Sequence, residues 1–124
     1  MLASNEVCAC LAVKDMAVAA KFYEEVLGMT AEKPSDYGTF YKSGNGGVFV
    51  YPSQYAGTNQ ATAAAWSVDD AAAEVEALKA KGVEFEHYDM PGQTREGDLH
   101  IAGPTKSAWF KDPDGNILNI VEGM

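Results

Sequence analysis

The feature that most constrains this 124-residue chain is a strand–turn–strand pattern that occurs twice. The clearer copy spans residues 108–123 and reads AWFKDPDGNILNIVEG, two apolar runs around the tetrapeptide DPDG. Asp, Pro and Gly at those turn positions favour a reversal between paired strands. The weaker copy, FYKSGNGGVFVY at residues 40–51, overlays it at a constant shift of 69 residues, which places Phe40 on Trp109. A repeated hairpin predicts a chain built from two similar halves.

The segments before each hairpin also follow one order of elements. In the first half a predicted strand (7–13) leads to a helix that Asp15 caps and Gly28 ends, and further short strands follow. In the second half a strand (62–68) leads to a helix between Asp70 and Gly82, then to a strand and the hairpin. An additional segment, 89–105, which we expect to form a loop, lengthens the second half.

These patterns predict an α+β fold of two tandem βαβββ modules within a single domain, 1–124. The modules span about 5–52 and 61–122, and a Pro- and Gly-containing linker, 52–60, joins them. Each module exposes an apolar sheet face that needs covering, so we expect a curved mixed sheet around a central cavity.

The composition limits the kinds of molecule that the chain is expected to bind. Eighteen acidic and nine basic residues give a net charge of −9, which disfavours phosphate backbones and anionic lipid surfaces. We therefore expect no nucleic-acid and no membrane partner. Cys8 and Cys10 stand two residues apart on a predicted strand, about 6–7 Å from each other, too far for an easy disulfide. A reducing cytoplasm is the expected location.

Three segments give the chain a resemblance to the vicinal oxygen chelate superfamily, which includes glyoxalase I, extradiol dioxygenases, fosfomycin-resistance enzymes and bleomycin-resistance proteins. The segments are VKDMAVAAKFYEEVLGM (13–29), WSVDDAAAEVEALKAKGVEF (66–85) and AWFKDPDGNILNIVE (108–122). The resemblance implies the duplicated fold described above. It leaves the activity open, because this superfamily supports many chemistries.

The resemblance also implies where a metal would be held. In metal-dependent members, His is typical five residues before the V-x-D of each first strand, and Glu four residues after each hairpin glycine. Those positions here hold Cys8, Ala63, Val50 and Asn119. Divalent ions prefer imidazole and carboxylate donors, which none of the four provides. We expect no metal and no other cofactor.

Alternation along the strands predicts the residues that face the cavity. Cys8, Cys10, Ala63 and Ala65 share its face, and symmetric pairing about the second turn adds Phe110, whereas a one-residue bulge would place Trp109 there instead. The predicted ligand-binding residues are Cys8, Cys10, Tyr41, Val50, Ala63, Ala65, Phe110 and Asn119. Tyr41 either stacks on a ligand or packs, and Asn119 either orients a ligand or forms structural hydrogen bonds.

Two residues are candidates for catalysis. Cys8 is either a nucleophile or soft-metal ligand, or a small buried strand residue. His100, near Asp98 and Arg95 in the additional segment, is either a general acid–base or a solvated loop histidine.

Three functions remain open. The leading hypothesis is a metal-independent protein, similar to the bleomycin-resistance branch, that sequesters a small apolar or aromatic molecule. The alternative is a lyase, isomerase or dioxygenase with a non-standard metal or acid–base site drawn from Cys8, Cys10 and His100. The third is a dimeric interaction module. In each case the resemblance implies a homodimer.

Overall fold

The computed structural model describes residues 1–124 and confirms the predicted α+β fold. A short 3₁₀ turn, Leu2–Ser4, precedes the first strand. The elements in chain order are β1 (Ala9–Val13), α1 (Met16–Lys21) with a π-helical continuation (Phe22–Val26), β2 (Thr30–Ser35), β3 (Gly38–Ser43), β4 (Gly46–Pro52), β5 (Thr62–Ser67), α2 (Ala71–Ala80), β6 (Phe85–Glu86), β7 (Thr94–Glu96), β8 (Leu99–Ala102), β9 (Thr105–Lys111) and β10 (Ile117–Glu122).

The strands form two mixed sheets, one from each half of the chain. The first has the order β1-β4-β3-β2 and the second the order β5-β10-β9-β8-β7, with β6 also paired to β9. In both sheets the first strand is parallel to the last strand of its module. β1 and β5 lie side by side at the junction of the sheets without pairing.

Capping at both helices follows the sequence signals. The Asp15 carboxylate accepts hydrogen bonds from the backbone N–H groups of Ala17 and Val18, and Asp70 accepts one from Ala73. Each cap satisfies donors that the first helical turn leaves free. None of the helices combines the length and apolar character needed to cross a bilayer.

Both halves contribute to one hydrophobic core on the helix side of the sheets. It joins Leu11, Val13, Ala19, Tyr23, Tyr41, Val48 and Val50 to Val75, Ala108, Phe110, Leu118 and Ile120. Burial of large apolar side chains is the main stabilising contribution available to a chain of this size. The shared core fixes the two sheets relative to each other.

The additional segment of the second half is not the simple loop that we predicted. It contains β7 and β8, which continue the second sheet beyond β9. The register places His100 opposite Ser107 on the neighbouring strand. Because β8 pairs with β9, this part of the chain has a defined position beside the second hairpin.

Candidate functional site

The sheet face turned away from the core carries a group of aromatic side chains. On β4 the buried Val48 and Val50 belong to the core, and strand alternation directs Phe49 and Tyr51 to the opposite face. Phe40 is paired with Phe49 and lies on that face too. We call this surface the open face; in the second sheet it continues through Ser107, Trp109, Ile117 and Asn119, which alternate with core residues.

Two glycines allow the aromatic rings to lie against the first sheet. A Cβ on Gly47 would overlap the Phe40 ring, and one on Gly38 would lie 2.6 Å from Phe49 Cζ. The Phe49 and Tyr51 rings are nearly parallel, with centroids 6.1 Å apart and an angle of 14° between planes. The result is a flat apolar floor, the type of surface on which planar aromatic molecules stack.

A second aromatic group lies on the open face of the second sheet. The Trp109 ring contacts His100 and Tyr88 edge-to-face, with centroids 4.9 and 5.6 Å apart. Trp109 Nε1 donates to Thr62 Oγ1 at 3.1 Å, which holds the indole in place. A cavity of about 440 Å³ opens beside it, lined by Gln60, Ala61, Thr62, Tyr88, Met90, Trp109 and Ile117.

Asn119 lies next to Trp109 in the hairpin register and next to Ala65 on β5. Its side chain is buried, and Nδ2 donates to the carbonyl oxygens of Ala108 and Ile120 at 3.1 and 3.3 Å. The amide nitrogen of Asn119 thus forms structural hydrogen bonds, which was one of its two predicted roles. The side chain lies on the predicted face of the sheet.

Three predicted ligand-binding residues lie on the wrong side of the sheets. Tyr41, Val50 and Phe110 are each 1% exposed and belong to the core. The Tyr41 hydroxyl donates to Glu24 at 2.9 Å, and burial together with that carboxylate raises the pKa of Tyr41 to about 12. Phe110 packs edge-to-face on Phe85. None of the three can line the open face.

The length of the two hairpin turns explains the errors at Val50 and Phe110. In the first half Ser43 pairs with Gly46, whereas in the second Lys111 pairs with Ile117 across a longer turn. The overlay that assumed equal turns therefore misplaces the last strand by one residue. By register, Phe49 and not Val50 corresponds to Asn119, because Phe49 pairs with Cys10 as Asn119 pairs with Ala65.

The remaining predicted small residues occupy different positions. Cys10 and Ala65 are exposed on the open face, as expected. Ala63 lies at a bulge in the β5–β10 pairing and contacts the core. Cys8 precedes β1 and is exposed, so the prediction of a buried strand residue was wrong. Partial burial and then the Cys8 thiol raise the pKa of Cys10, which makes that thiol a weaker nucleophile.

His100 is not the solvated loop histidine that we considered, since its side chain is 2% exposed and lies on β8. Nε2 accepts a hydrogen bond from the backbone N–H of Tyr88 at 2.9 Å. In the neutral ring the proton is therefore on Nδ1, which has no protein partner. The residue is placed to donate a hydrogen bond, not to accept a proton at Nε2.

Sequence reasoning missed Phe40, Phe49, Tyr51 and Tyr88 as open-face residues, and Trp109 stood only as the alternative to Phe110. A signal for Phe49 and Tyr51 was present in the run GGVFVY, where two valines alternate with two aromatics. β-branched residues favour the buried face of such a strand, which leaves the aromatics on the other face. Tyr88 carries no comparable local signal.

Residues 6–120 match the model of the Glyoxalase/Bleomycin resistance protein/Dioxygenase superfamily. The chain belongs to this superfamily. Comparison of the sequence with curated proteins gave no match.

Solved structures of the glyoxalase superfamily share the fold at low sequence identity. A glyoxalase family protein from Enterococcus faecalis has a TM-score of 0.73 at 18% identity, covering 98% of this chain and 100% of that one. The fosfomycin resistance protein FosX from Listeria monocytogenes gives 0.72 at 16% identity, covering 98% and 94%. TnmS3, an antibiotic binding protein from Streptomyces sp. CB03234, gives 0.68 at 21% identity, covering 98% of each chain.

The positions that hold metal in metal-dependent members of the superfamily do not carry a suitable donor set here. With the register corrected, they are Cys8, Ala63, Phe49 and Asn119. A methyl group and a phenyl ring supply no lone pair, which leaves only the Cys8 thiol and the Asn119 amide oxygen as donors. No three His, Cys, Asp or Glu side chains of the chain lie close enough together to hold a metal ion.

Proposed function

We propose that this chain binds a small, flat aromatic molecule on the open face without a metal ion, and that it acts by sequestration. The observation that carries the proposal is the floor formed by Phe40, Phe49 and Tyr51, in which Gly38 and Gly47 leave room for the rings. Packing alone does not require this arrangement, because the three side chains lie outside the core. Aromatic surfaces of this kind take up planar apolar compounds.

The donor set supports binding in preference to metal-assisted chemistry. The alternative, a lyase, isomerase or dioxygenase, needs a Lewis acid or an acid–base pair on the open face. Partial burial raises the pKa of Cys10, and Nε2 of His100 already accepts a hydrogen bond. Neither group is therefore prepared to abstract a proton from a bound molecule.

A second copy of the chain is part of the proposal. The open faces of the two sheets continue one another across β1 and β5, and Cys10 and Ala65 on these two strands are exposed. Phe49 and Tyr51 are half-buried within one chain. A homodimer in which a partner covers this face would enclose a bound aromatic molecule and increase the apolar area removed from water.

The test uses Trp109 as the reporter, because its indole lies on the open face whereas Trp66 packs toward the core. In a Trp66→Phe background, anthraquinone and 2-methylnaphthalene are titrated and the fluorescence of Trp109 is followed. We expect saturable quenching. Loss of one stacking partner is worth roughly 0.5–1.5 kcal/mol, so Phe49→Leu should weaken binding about 2- to 12-fold.

Phe85→Leu is the matched control, since Phe85 is also a half-buried aromatic but contacts Phe110 on the core side. It should leave the affinity within about twofold of the parent. Failure of every planar probe to bind, or equal weakening by both substitutions, would contradict the proposal. Native mass spectrometry of the same samples reports the number of subunits and any bound metal.

A further inference from the structure

A second cavity, of about 380 Å³, lies beside the aromatic one under residues 88–95. Its lining is mostly polar and includes Asp89, Gln93, Arg95 and His100. Tyr88 and Met90 line both cavities and form the wall between them. A molecule stacked beside Trp109 therefore has a polar compartment within reach of one end.

Three buried polar atoms of this compartment have no hydrogen-bond partner in the protein: the Tyr88 hydroxyl, Gln93 Oε1 and His100 Nδ1. Most buried polar groups in folded proteins are paired, and leaving one unpaired costs about 1–3 kcal/mol. Three such atoms around one cavity indicate a site built to receive a hydrogen-bonding group. They are the complete set of unpaired buried side-chain atoms in the chain.

The chemistry of the three atoms defines what fits. Because Nε2 of His100 accepts from the Tyr88 N–H, Nδ1 carries the proton and is a donor. Gln93 Oε1 is an acceptor, and the Tyr88 hydroxyl can act as either. Burial and then Glu86 raise the pKa of Tyr88, so this hydroxyl keeps its proton. The lining of the cavity thus offers both a donor and an acceptor.

The charged side chains around the cavity do not favour one sign of ligand. Asp89 and Arg95 both line it and are of opposite sign. Lining of this kind gives no net attraction for a carboxylate or an ammonium ion. An uncharged carbonyl next to an N–H, as in a primary amide or a lactam, matches both the charge and the hydrogen-bonding pattern.

We propose that this compartment is a polar subsite that binds an amide-like end group of the aromatic ligand, whose carbonyl accepts from His100 Nδ1 and whose N–H donates to Gln93 Oε1. This inference rests on the proposed function, since the aromatic body occupies the open face. The three atoms are covered from solvent, so the ligand reaches them when the side chains that line the cavity change rotamer. Gly92, with a φ of 80° and open space around it, begins the loop that carries Gln93.

Two probes of matched shape test the subsite: 2-naphthamide, and 2-isopropylnaphthalene, in which the amide is replaced by an apolar group. Affinities are measured by quenching of Trp109. We expect 2-naphthamide to bind about tenfold more tightly, as one or two buried hydrogen bonds predict. Gln93→Leu should remove most of that preference and leave the affinity for 2-isopropylnaphthalene within about twofold.

Gln54→Leu is the control, because Gln54 is exposed and lines neither cavity. It should preserve the preference. A second readout does not depend on a substitution: the imidazole Nδ1–H resonance of His100 should shift on addition of 2-naphthamide and not on addition of 2-isopropylnaphthalene.

The outcomes separate the two proposals. Equal affinity for both probes, or a preference that persists in Gln93→Leu, overturns the subsite while leaving aromatic binding intact. Binding of 2-naphthamide alone, with Gln93 sensitivity, supports the subsite and overturns aromatic stacking as the source of the affinity. Absence of binding by either probe overturns both.

Discussion

The hydroxyl of Tyr23 donates a hydrogen bond to Asp112 Oδ2 at 2.8 Å, across the boundary between the two halves of the chain. Tyr23 is fully buried beside the first helix, and Asp112 opens the turn of the second hairpin. The same carboxylate accepts from the backbone N–H groups of Asp114 and Asn116 and from Asn116 Nδ2. One buried side chain therefore holds the second turn against the first module.

Tyr23→Phe should destabilise the protein through this bond. The substitution keeps the ring in the core but removes one of the donors to a buried carboxylate, which costs about 1–3 kcal/mol. Urea unfolding followed by circular dichroism measures the change. Tyr37→Phe, at an exposed position, is the control and should be neutral. Equal stability of the two variants would mean that the bond contributes nothing net.

Gly47→Ala should disturb the aromatic floor. Its Cβ would overlap the Phe40 ring and lie 2.7 Å from the Tyr41 carbonyl oxygen, so the ring has to move. We expect a loss of about 1–3 kcal/mol in stability, as overpacking usually causes, together with weaker quenching by planar probes.

The neighbouring glycine supplies the control for that substitution. A Cβ on Gly46 would meet nothing closer than 3.9 Å, and its backbone is not in the left-handed region. Gly46→Ala should leave stability within about 0.5 kcal/mol of the parent or raise it slightly. If both alanines behave alike, the Phe40 ring does not depend on the space above Gly47.

Asp98 should give the protein an acid-sensitive contribution to stability. The hydrogen bond from His87, at 2.7 Å, and that from Lys79, at 3.0 Å, hold the pKa of Asp98 below its ordinary value of 3.8, although partial burial opposes them. Because the folded pKa is the lower one, the contribution is present above 3.8 and is lost as the pH falls through the folded value.

Asp98→Asn measures that contribution. The variant should be less stable than the parent by under about 1 kcal/mol at neutral pH, and the difference should shrink toward zero in strong acid. Thermal unfolding at a series of pH values provides the comparison, with Asp36→Asn as an exposed control. A difference that stays constant down to the lowest pH would exclude the ion pair as its cause.

The two cysteines should differ in their reactivity. Both are exposed, but partial burial and the nearby Cys8 raise the pKa of Cys10 above 9.0. Since the thiolate is the reactive form, Cys10 in a Cys8→Ser variant should be alkylated by iodoacetamide at a lower pH than in the parent. Peptide mass spectrometry assigns the site, and an unchanged pH profile would rule out the influence of Cys8.

Local sequence signals were sufficient for the fold class. The helix caps at Asp15 and Asp70 and the apolar runs around each turn determine their own elements, so the shared β-α-β-β-β plan could be predicted, whereas β7 and β8 of the second half could not. Prediction of the site residues also requires the register of each hairpin. A single additional residue moves Phe110 into the core and Trp109 onto the open face.

The burial of His100 could not be predicted in the same way. It depends on the pairing of β8 with β9 and on the Trp109 ring, contacts that join distant parts of the additional segment and the hairpin. A polar residue in a Gly- and Pro-containing stretch gives no local indication of such an environment.

The contact between Tyr23 and Asp112 bears on the history of a duplicated chain. A single ancestral module would have had to bury its sheet by pairing with another copy of itself. Here each half supplies one partner of a buried hydrogen bond. Neither half contains a repeat of the partner that the other half supplies. Loss of the second half would leave the Tyr23 phenol without its acceptor, and loss of the first would remove one of the four donors to the Asp112 carboxylate.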